Sequence, residues 1–435
     1  MSEARESAER VVRRLREGGH VAYFAGGCVR DELLGADPED YDVATDARPE
    51  RVRELFPRVS EVGASFGVML LRERGHTIEV ATFRTEGAYS DRRRPDEVAY
   101  SDANHDAQRR DFTINALFLD PLEPARAVEI GGVRRPVSGE IIDLVGGVAD
   151  LGAGVVRAVG DPERRLAEDH LRALRAVRFA ARLGFTLDRT TAWAITAHAR
   201  ELEGVSHERV GDELRRMLSA PSRGRAVGLM GELGLDAPAL QDGLPEAAGS
   251  AAVARALPES AGFAAALAAW GAARLAGGAR DAMGERLAGA ITEEASTRLV
   301  RAWRRSLCLS NAERAGVGGA LAGIGRLVRE FRTAPVAAQK RMAASDWFGD
   351  ALAALRAIDP ARGADAQERA RELAASAGGV APAPLLDGSD LLGLGFAAGP
   401  ELGRALDTLY DLQLEGRVRG REEALEEARR LLERS

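Results

Sequence analysis

A chain of 435 residues, 45% hydrophobic and 29% charged, is too long for one ordinary core and has room for two to four domains. No apolar run approaches the roughly 20 residues that cross a bilayer, and the composition is too apolar for a disordered chain. The net charge of −7 excludes a uniformly basic, nucleic-acid-coating surface, and two cysteines, Cys28 and Cys308, supply neither a disulfide framework nor a four-ligand zinc site. The N-terminal MSEARESAERVVRRLREGG is charged and helical in pattern, with no apolar h-region, which predicts a cytoplasmic protein that does not enter a membrane.

Strand signals crowd the first 150 or so residues: VAYFAGG, YDVAT, FGVMLLRE, HTIEVATF and the short EIIDLVGG, separated by Gly, Pro and Asp turns. From Asp161 onward the apolar residues recur at three-to-four spacing with Ala-rich filling, which predicts helix after helix. The stretch SAGGVAPAP at 376–384 then marks a boundary before a last charged helical segment. The fold class expected is α+β, with a mixed-sheet head at 1–150 followed by an all-helical neck at 151–225, body at 226–380 and tail at 385–435. Between Arg157 and Arg225, fourteen Arg face ten acidic residues, a basic patch within an acidic chain.

Asp40 and Asp42 in DYDVAT share one face if the segment is a strand, while Tyr41 points away. Two carboxylates aimed at one point repel unless a cation neutralises them, and Mg²⁺ carried with a nucleotide's phosphates would do so. Ahead of them, Gly26 and Gly27 follow the strand VAYFA and open a helix. Adjacent glycines admit a close ligand, a helix N-terminus offers free N–H groups to a phosphate, and Arg30 would add a positive charge beside it. Glu79 in HTIEVATFR stands on the strand face opposite Ile78 and Val80, predicted to point inward. With Asp40 and Asp42 it completes the three acids that two-metal phosphoryl transfer employs. His105 and Asp106 form an HD pair with no further His or Asp at a spacing that would make a metal phosphohydrolase.

GGCVRDELLG followed by DYDVAT, then EVATFR, RRDFTINAL at 109–117 and EDHLRALRAVRF at 168–179 together resemble the class II tRNA nucleotidyltransferases, which include CCA-adding enzymes and bacterial poly(A) polymerases. SHERVGDELRRML and DLLGLGFAAGPELGRALDTLYDLQLEGRV extend the resemblance. It implies that Gly27 and Arg30 meet the nucleotide triphosphate, that Asp40 and Asp42 bind the metals with Glu79 assisting, and that Arg110 joins the nucleotide site. It also implies that Asp169 and Arg172 select the base, with Arg175 and Arg178 continuing the site, and that a loop around Arg92, Arg93 and Arg94 switches between CTP and ATP.

The base choice has a chemical basis. Cytosine and adenine each present an amino donor beside an unprotonated ring nitrogen, which an accepting Asp and a donating Arg match, whereas uracil and guanine present the reverse. On one helix Asp169 and Arg172 would be neighbours at i and i+3. The same step drifts about 60° each time, so Arg175 and Arg178 would turn away toward phosphates. Leu166, Leu171, Leu174, Val177 and Ala181 would form the packed side.

The function implied is addition of C, C and A to the tRNA 3′ end from CTP and ATP with Mg²⁺ and no template, the helical parts gripping the acceptor arm. A CC- or A-adding specialist, a poly(A) polymerase and a non-catalytic RNA-binding module are the alternatives. The polymerase members carry a Gly-Arg/Lys-Arg/Lys-Phe run before the third carboxylate; here the sequence reads RERGHTIEV, which favours tRNA.

Overall fold

The computed structural model describes residues 2–57, 59–61, 68–86 and 98–433, so the Arg92–Arg94 loop lies outside the described residues. The chain divides into two compact units, Met1–Leu214 with Glu232–Ala239, and Arg215–Gly231 with Leu240–Ser435. This division is coarser than the four segments expected from sequence and keeps most of the neck with the head.

In chain order the first unit contains α1 (Glu3–Glu17), β1 (Ala22–Ala25), α2 (Gly27–Leu34), β2 (Asp42–Thr45), α3 (Pro49–Leu55), β3 (Val59–Glu61), β4 (Val68–Glu73) and β5 (His76–Thr82). There follow β6 (Arg84–Glu86), β7 (Val98–Tyr100), α4 (Ala103–Gln108), a single 3₁₀ turn Thr113–Asn115, β8 (Phe118–Asp120), β9 (Arg126–Ile130), β10 (Val133–Val137) and β11 (Glu140–Ile142). The helical part begins with α5 (Gly147–Ala153), β12 (Val155–Val156), α6 (Pro162–Glu168), α7 (Arg172–Leu183), β13 (Thr186–Leu187), α8 (Arg189–Ala197) and α9 (His207–Leu218).

Seven strands form the main sheet in the order β11-β8-β1-β2-β5-β4-β3, two more than the sequence signals suggested. β2 runs parallel to β5 and the other pairs are antiparallel, which makes the sheet mixed. Register sorts the side chains. Phe24, Val43, Val80 and Met69 lie in one cross-strand row and are all buried. α1 packs on this sheet through Ala8, Val11, Val12 and Leu15, a helical spacing, and Ser2 caps its first turn. The opposite face carries a second cluster of Ala25, Ala44, Phe83, Ala107, Ala116, Phe118 and Val159. Asp42 and Glu79 alternate with the α1-facing row, so they emerge on this opposite face.

The second unit is helical: α10 (Arg223–Glu232), α11 (Asp236–Leu240), α12 (Ser250–Ala256), α13 (Phe263–Ala276), α14 (Met283–Ala290), α15 (Glu293–Ser306), α16 (Asn311–Arg329), α17 (Val336–Ala343), α18 (Phe348–Ile358), α19 (Pro360–Ala375), α20 (Gly388–Leu394), α21 (Pro400–Leu414) and α22 (Arg421–Glu433), of which α10 and α11, like α9, each span a unit boundary. Alanine lets α13 be buried almost all round, with α12, α14, α16 and α18 packed against it. Gly271 on α13 touches the Trp303 indole of α15, where a Cβ would overlap the ring. Beside it the fully buried Arg274 pairs with Asp242, whose Oδ2 also accepts from Trp303 Nε1 at 3.0 Å. Among the described residues no helix is long and apolar enough to cross a membrane.

A buried charge is tolerated only with its partner in place. Asp242→Ala is therefore expected to destabilise the second unit by about 3 kcal/mol, read as a lowered midpoint in urea unfolding; an unchanged midpoint would show that the pair is dispensable.

Candidate active site

β1 ends at Ala25 and the chain turns at Gly26, whose φ of +74° is a conformation suited to glycine. A Cβ on Gly26 would stand 2.8 Å from Arg110 Nη1, so the absent side chain is what lets the guanidinium lie over the turn. Gly27 opens α2 with space around its Cβ position, so only the first glycine is demanded by close approach. α2 has no side-chain cap at its N-terminus, which leaves its first N–H groups open to a ligand.

Across that recess Asp42 is paired in register with Glu79. Tyr41 is buried, its hydroxyl donating to Glu32 at 2.7 Å, while Asp42 is half-buried on the other side, as the strand alternation predicts. β2 begins only at Asp42, so Asp40 is an exposed residue ahead of the strand rather than part of it. Glu79 lies on the same sheet face as Asp42 but is solvent-accessible, not enclosed as the sequence suggested.

Partial desolvation, then the charges of Glu79 and Asp40, push Asp42 up to about 7, against which Arg110 works. Glu79 is raised by desolvation in the recess and by Asp40, and Arg84 opposes the shift. Among the described residues no three His, Cys, Asp or Glu side chains converge into a ready-made metal cage. The donor set nonetheless fits a hard cation that keeps waters and phosphate oxygens as its other ligands, because crowded carboxylates are what such an ion relieves. Cys28, on the buried side of α2 and near the Asp42 backbone, is pushed up to about 12, which leaves it an unreactive thiol.

Arg110 is held from behind. Its Nε donates to Asp106 Oδ2 at 3.2 Å and its Nη1 to the Asn115 carbonyl at 3.1 Å, and Arg109 binds the other oxygen of the buried Asp106. The HD dipeptide is thus half structural: His105 is exposed, whereas Asp106 orients two arginines.

Arg30 does not point into the recess as an isolated cation. It is buried, donates to Asn115 Oδ1 at 2.5 Å and to Asp31 at 2.8 Å, and lies over the Phe179 ring. Arg175 and Arg178 face the same ring. Arg175 binds Asp111 at 2.6 Å and Arg178 binds Glu213 at 2.6 Å. Burial would raise Asp111, but Arg175, the Asn115 amide and the Phe112 N–H hold it below the usual carboxylate range. Of this network only the arginines stand out in the sequence; Asp111, Asn115 and Glu213, which fix them, meet their partners only in the fold.

Asp169 and Arg172 do not sit on one continuous helix. α6 ends at Glu168, Asp169 is extended at φ −156°, and α7 starts at Arg172. The break is made by Asp169 itself: its Oδ1 accepts from Leu171 N and its carbonyl from Arg172 N. Apolar spacing runs through the break, with Leu166, Leu171, Leu174, Val177 and Ala181 all buried, so periodicity could not reveal it. Both Asp169 oxygens bind Arg209, at 3.2 and 2.6 Å, and Arg172 donates to Glu168 and the Arg165 carbonyl.

Two family descriptions match the chain, "Poly A polymerase head domain" at residues 22–157 and "Probable RNA and SrmB- binding site of polymerase A" at 184–246. The CCA-adding enzyme of Anoxybacillus flavithermus is 40% identical over 236 residues, 54% of this chain and 55% of that protein. That of Lactiplantibacillus plantarum is 41% identical over 214 residues, 49% of each. The chain thus spans about half the length of the curated relatives it matches. The Bacillus stearothermophilus CCA-adding enzyme in complex with CTP superposes with a TM-score of 0.74 at 28% identity over 100% of both chains. The Thermotoga maritima CCA-adding enzyme complexed with tRNA shares the fold, with a TM-score of 0.64 at 19% identity, covering 98% of this chain and 94% of that one.

Asp42 supplies a pH test. Its folded carboxyl keeps a proton up to about pH 7, while the unfolded chain releases it near 3.8, so its penalty on the metal-free fold grows from about pH 4 to 7 and is full above that. Asp42→Asn is expected to be the more stable protein at pH 8 without metal, by about 1 kcal/mol or more, and to lose that advantage toward pH 5. Parallel unfolding curves at the two pH values would contradict this assignment of the strain. Gly26→Ala should displace Arg110 and lower kcat/KM for nucleotide about 10-fold or more, measured by pyrophosphate release.

Proposed function

Because the chain belongs to the class II tRNA nucleotidyltransferase family, that of CCA-adding enzymes and bacterial poly(A) polymerases, we propose that it adds C, C and A to the 3′ end of tRNA from CTP and ATP without a nucleic-acid template. The observation that carries the reading is the Asp42–Glu79 register beside Arg110 and the uncapped start of α2.

The family works with a divalent metal, here taken to be Mg²⁺ held by Asp40 and Asp42 with Glu79 assisting. When bound, the ion lowers the barrier by neutralising charge on the phosphates and favouring the ionised 3′-hydroxyl. The chain's own groups do the positioning. The N–H groups at Gly27 and the Arg110 guanidinium take the triphosphate, which aligns the α-phosphorus for in-line attack by the RNA 3′-oxygen and departure of pyrophosphate.

Asp169 and Arg172 flank the turn between α6 and α7. Arg209 binds both Asp169 oxygens and the Leu171 N–H takes the second lone pair of Oδ1, which leaves one on Oδ2 to accept the amino group of cytosine or adenine. Arg172 retains donors beyond those bound to Glu168 and to the carbonyls of Arg165 and Arg109, and one of these suits the unprotonated ring nitrogen. Arg30, Arg175 and Arg178, tied to acids or an amide around Phe179, are assigned here to holding this frame. The division of labour proposed is a catalytic head at 1–150, a selecting neck at 151–225, and body and tail at 226–380 and 385–435 that bind the acceptor arm, in the cytoplasm.

The test uses tRNA transcripts ending before CCA, after C and after CC, with labelled CTP, ATP or both. Ordered growth to CCA and no further is expected. Extension of one intermediate alone would indicate a CC- or A-adding specialist, long A tails a poly(A) polymerase, and no incorporation a binding module. Asp169→Ala should lower kcat/KM for CTP about 10- to 100-fold, the worth of one charge-assisted hydrogen bond.

A further inference from the structure

α15 carries arginines at 298, 301, 304 and 305. Its inner face is fixed by Leu299 and Trp303, the indole seated on Gly271 and bonded to Asp242. The outer face follows from helix geometry: Arg298, Arg301 and Arg305 stand at i, i+3 and i+7, within about 60° of one another and spread along about 10 Å. All four arginines are exposed, and none has a guanidinium partner among the described residues. This sets them apart from Arg175, Arg178, Arg209, Arg215 and Arg274, each paired with a carboxylate. The helix's own acids, Glu293 and Glu294, are confined to the first turn, at the positive end of its dipole.

Like charges aligned on a helix slightly disfavour it, so this stripe contributes nothing to folding. In a chain of net charge −7 it is a local patch to which a polyanion can be drawn. Membrane binding needs apolar side chains on the inserting face, and those of α15 point into the core. A protein partner needs a buried aromatic or aliphatic anchor, which the outer face lacks. Guanidinium groups in a row match phosphates.

We infer that the outer face of α15 binds the phosphate backbone of the RNA substrate, without reading bases. The identity of that RNA as tRNA rests on the function proposed above; the phosphate contact does not.

The experiment compares the full chain with the triple variant R298Q/R301Q/R305Q, each checked for an unchanged melting curve. The KM for tRNA lacking CCA should rise about 10-fold or more near 150 mM salt, and the log–log slope of tRNA affinity against salt should flatten by about 2 to 3, while the KM for CTP stays put. The triple Lys variant should restore the slope. A folded triple Gln variant with wild-type tRNA KM and slope overturns the inference, as does weakened binding with an unchanged slope. If the wild type extends no transcript yet binds tRNA with a slope that depends on these arginines, the inference stands and the proposed reaction falls.

Discussion

Two parallel strands place Asp42 and Glu79 in register on one face of the sheet, and most of what surrounds them answers the resulting repulsion. Hydrogen bonding between β2 and β5 fixes the backbone, so the carboxylates cannot separate without breaking the ladder. Desolvation and mutual charge then disfavour ionisation, and the recess becomes a place where a cation or a proton is welcome. Arg110 supplies part of the compensation. It can do so because Gly26 leaves room and because Asp106 and Asn115 hold it from behind.

Asn115 links this recess to the helices that follow. Its amide oxygen takes Arg30, its amide nitrogen donates to Asp111, and Asp111 holds Arg175 on α7. Glu213 on α9 continues the chain to Arg178. Four arginines that the family pattern singles out thereby fall into two kinds. Arg110 stands over the recess, whereas Arg30, Arg175 and Arg178 crowd the Phe179 ring of α7. Arg30 is buried and Arg175 and Arg178 are half-buried, so each acid of the network offsets part of the cost of desolvating a guanidinium.

The sheet was legible where strands are long and alternate, as at β4 and β5, and illegible where they are short. β8 lies inside the sheet between β11 and β1, and its three residues are all buried and offer no alternation to read. Asp42 could be placed from the period of two, but Asp40 could not, because the strand's starting point depends on pairing with β1 and β5 rather than on propensity. The break at Asp169 escaped for a related reason. Apolar spacing continues across α6 and α7, and only the side-chain bonds of Asp169 interrupt the helix. Asp111, Asn115 and Arg209 lay within quoted motifs, but their partners come from distant sequence and only the fold brings them together.

We propose that Asp42, with Asp40 beside it and Glu79 assisting, holds a cation and is strained in the metal-free fold. Titration of Mn²⁺ into the protein with CTP present, followed by electron paramagnetic resonance, reads the bound ion directly. Mn²⁺ should bind the wild type in competition with Mg²⁺, and the protein-dependent ion should be lost in Asp42→Asn beyond what CTP alone binds. Equal Mn²⁺ binding by the two proteins would contradict it.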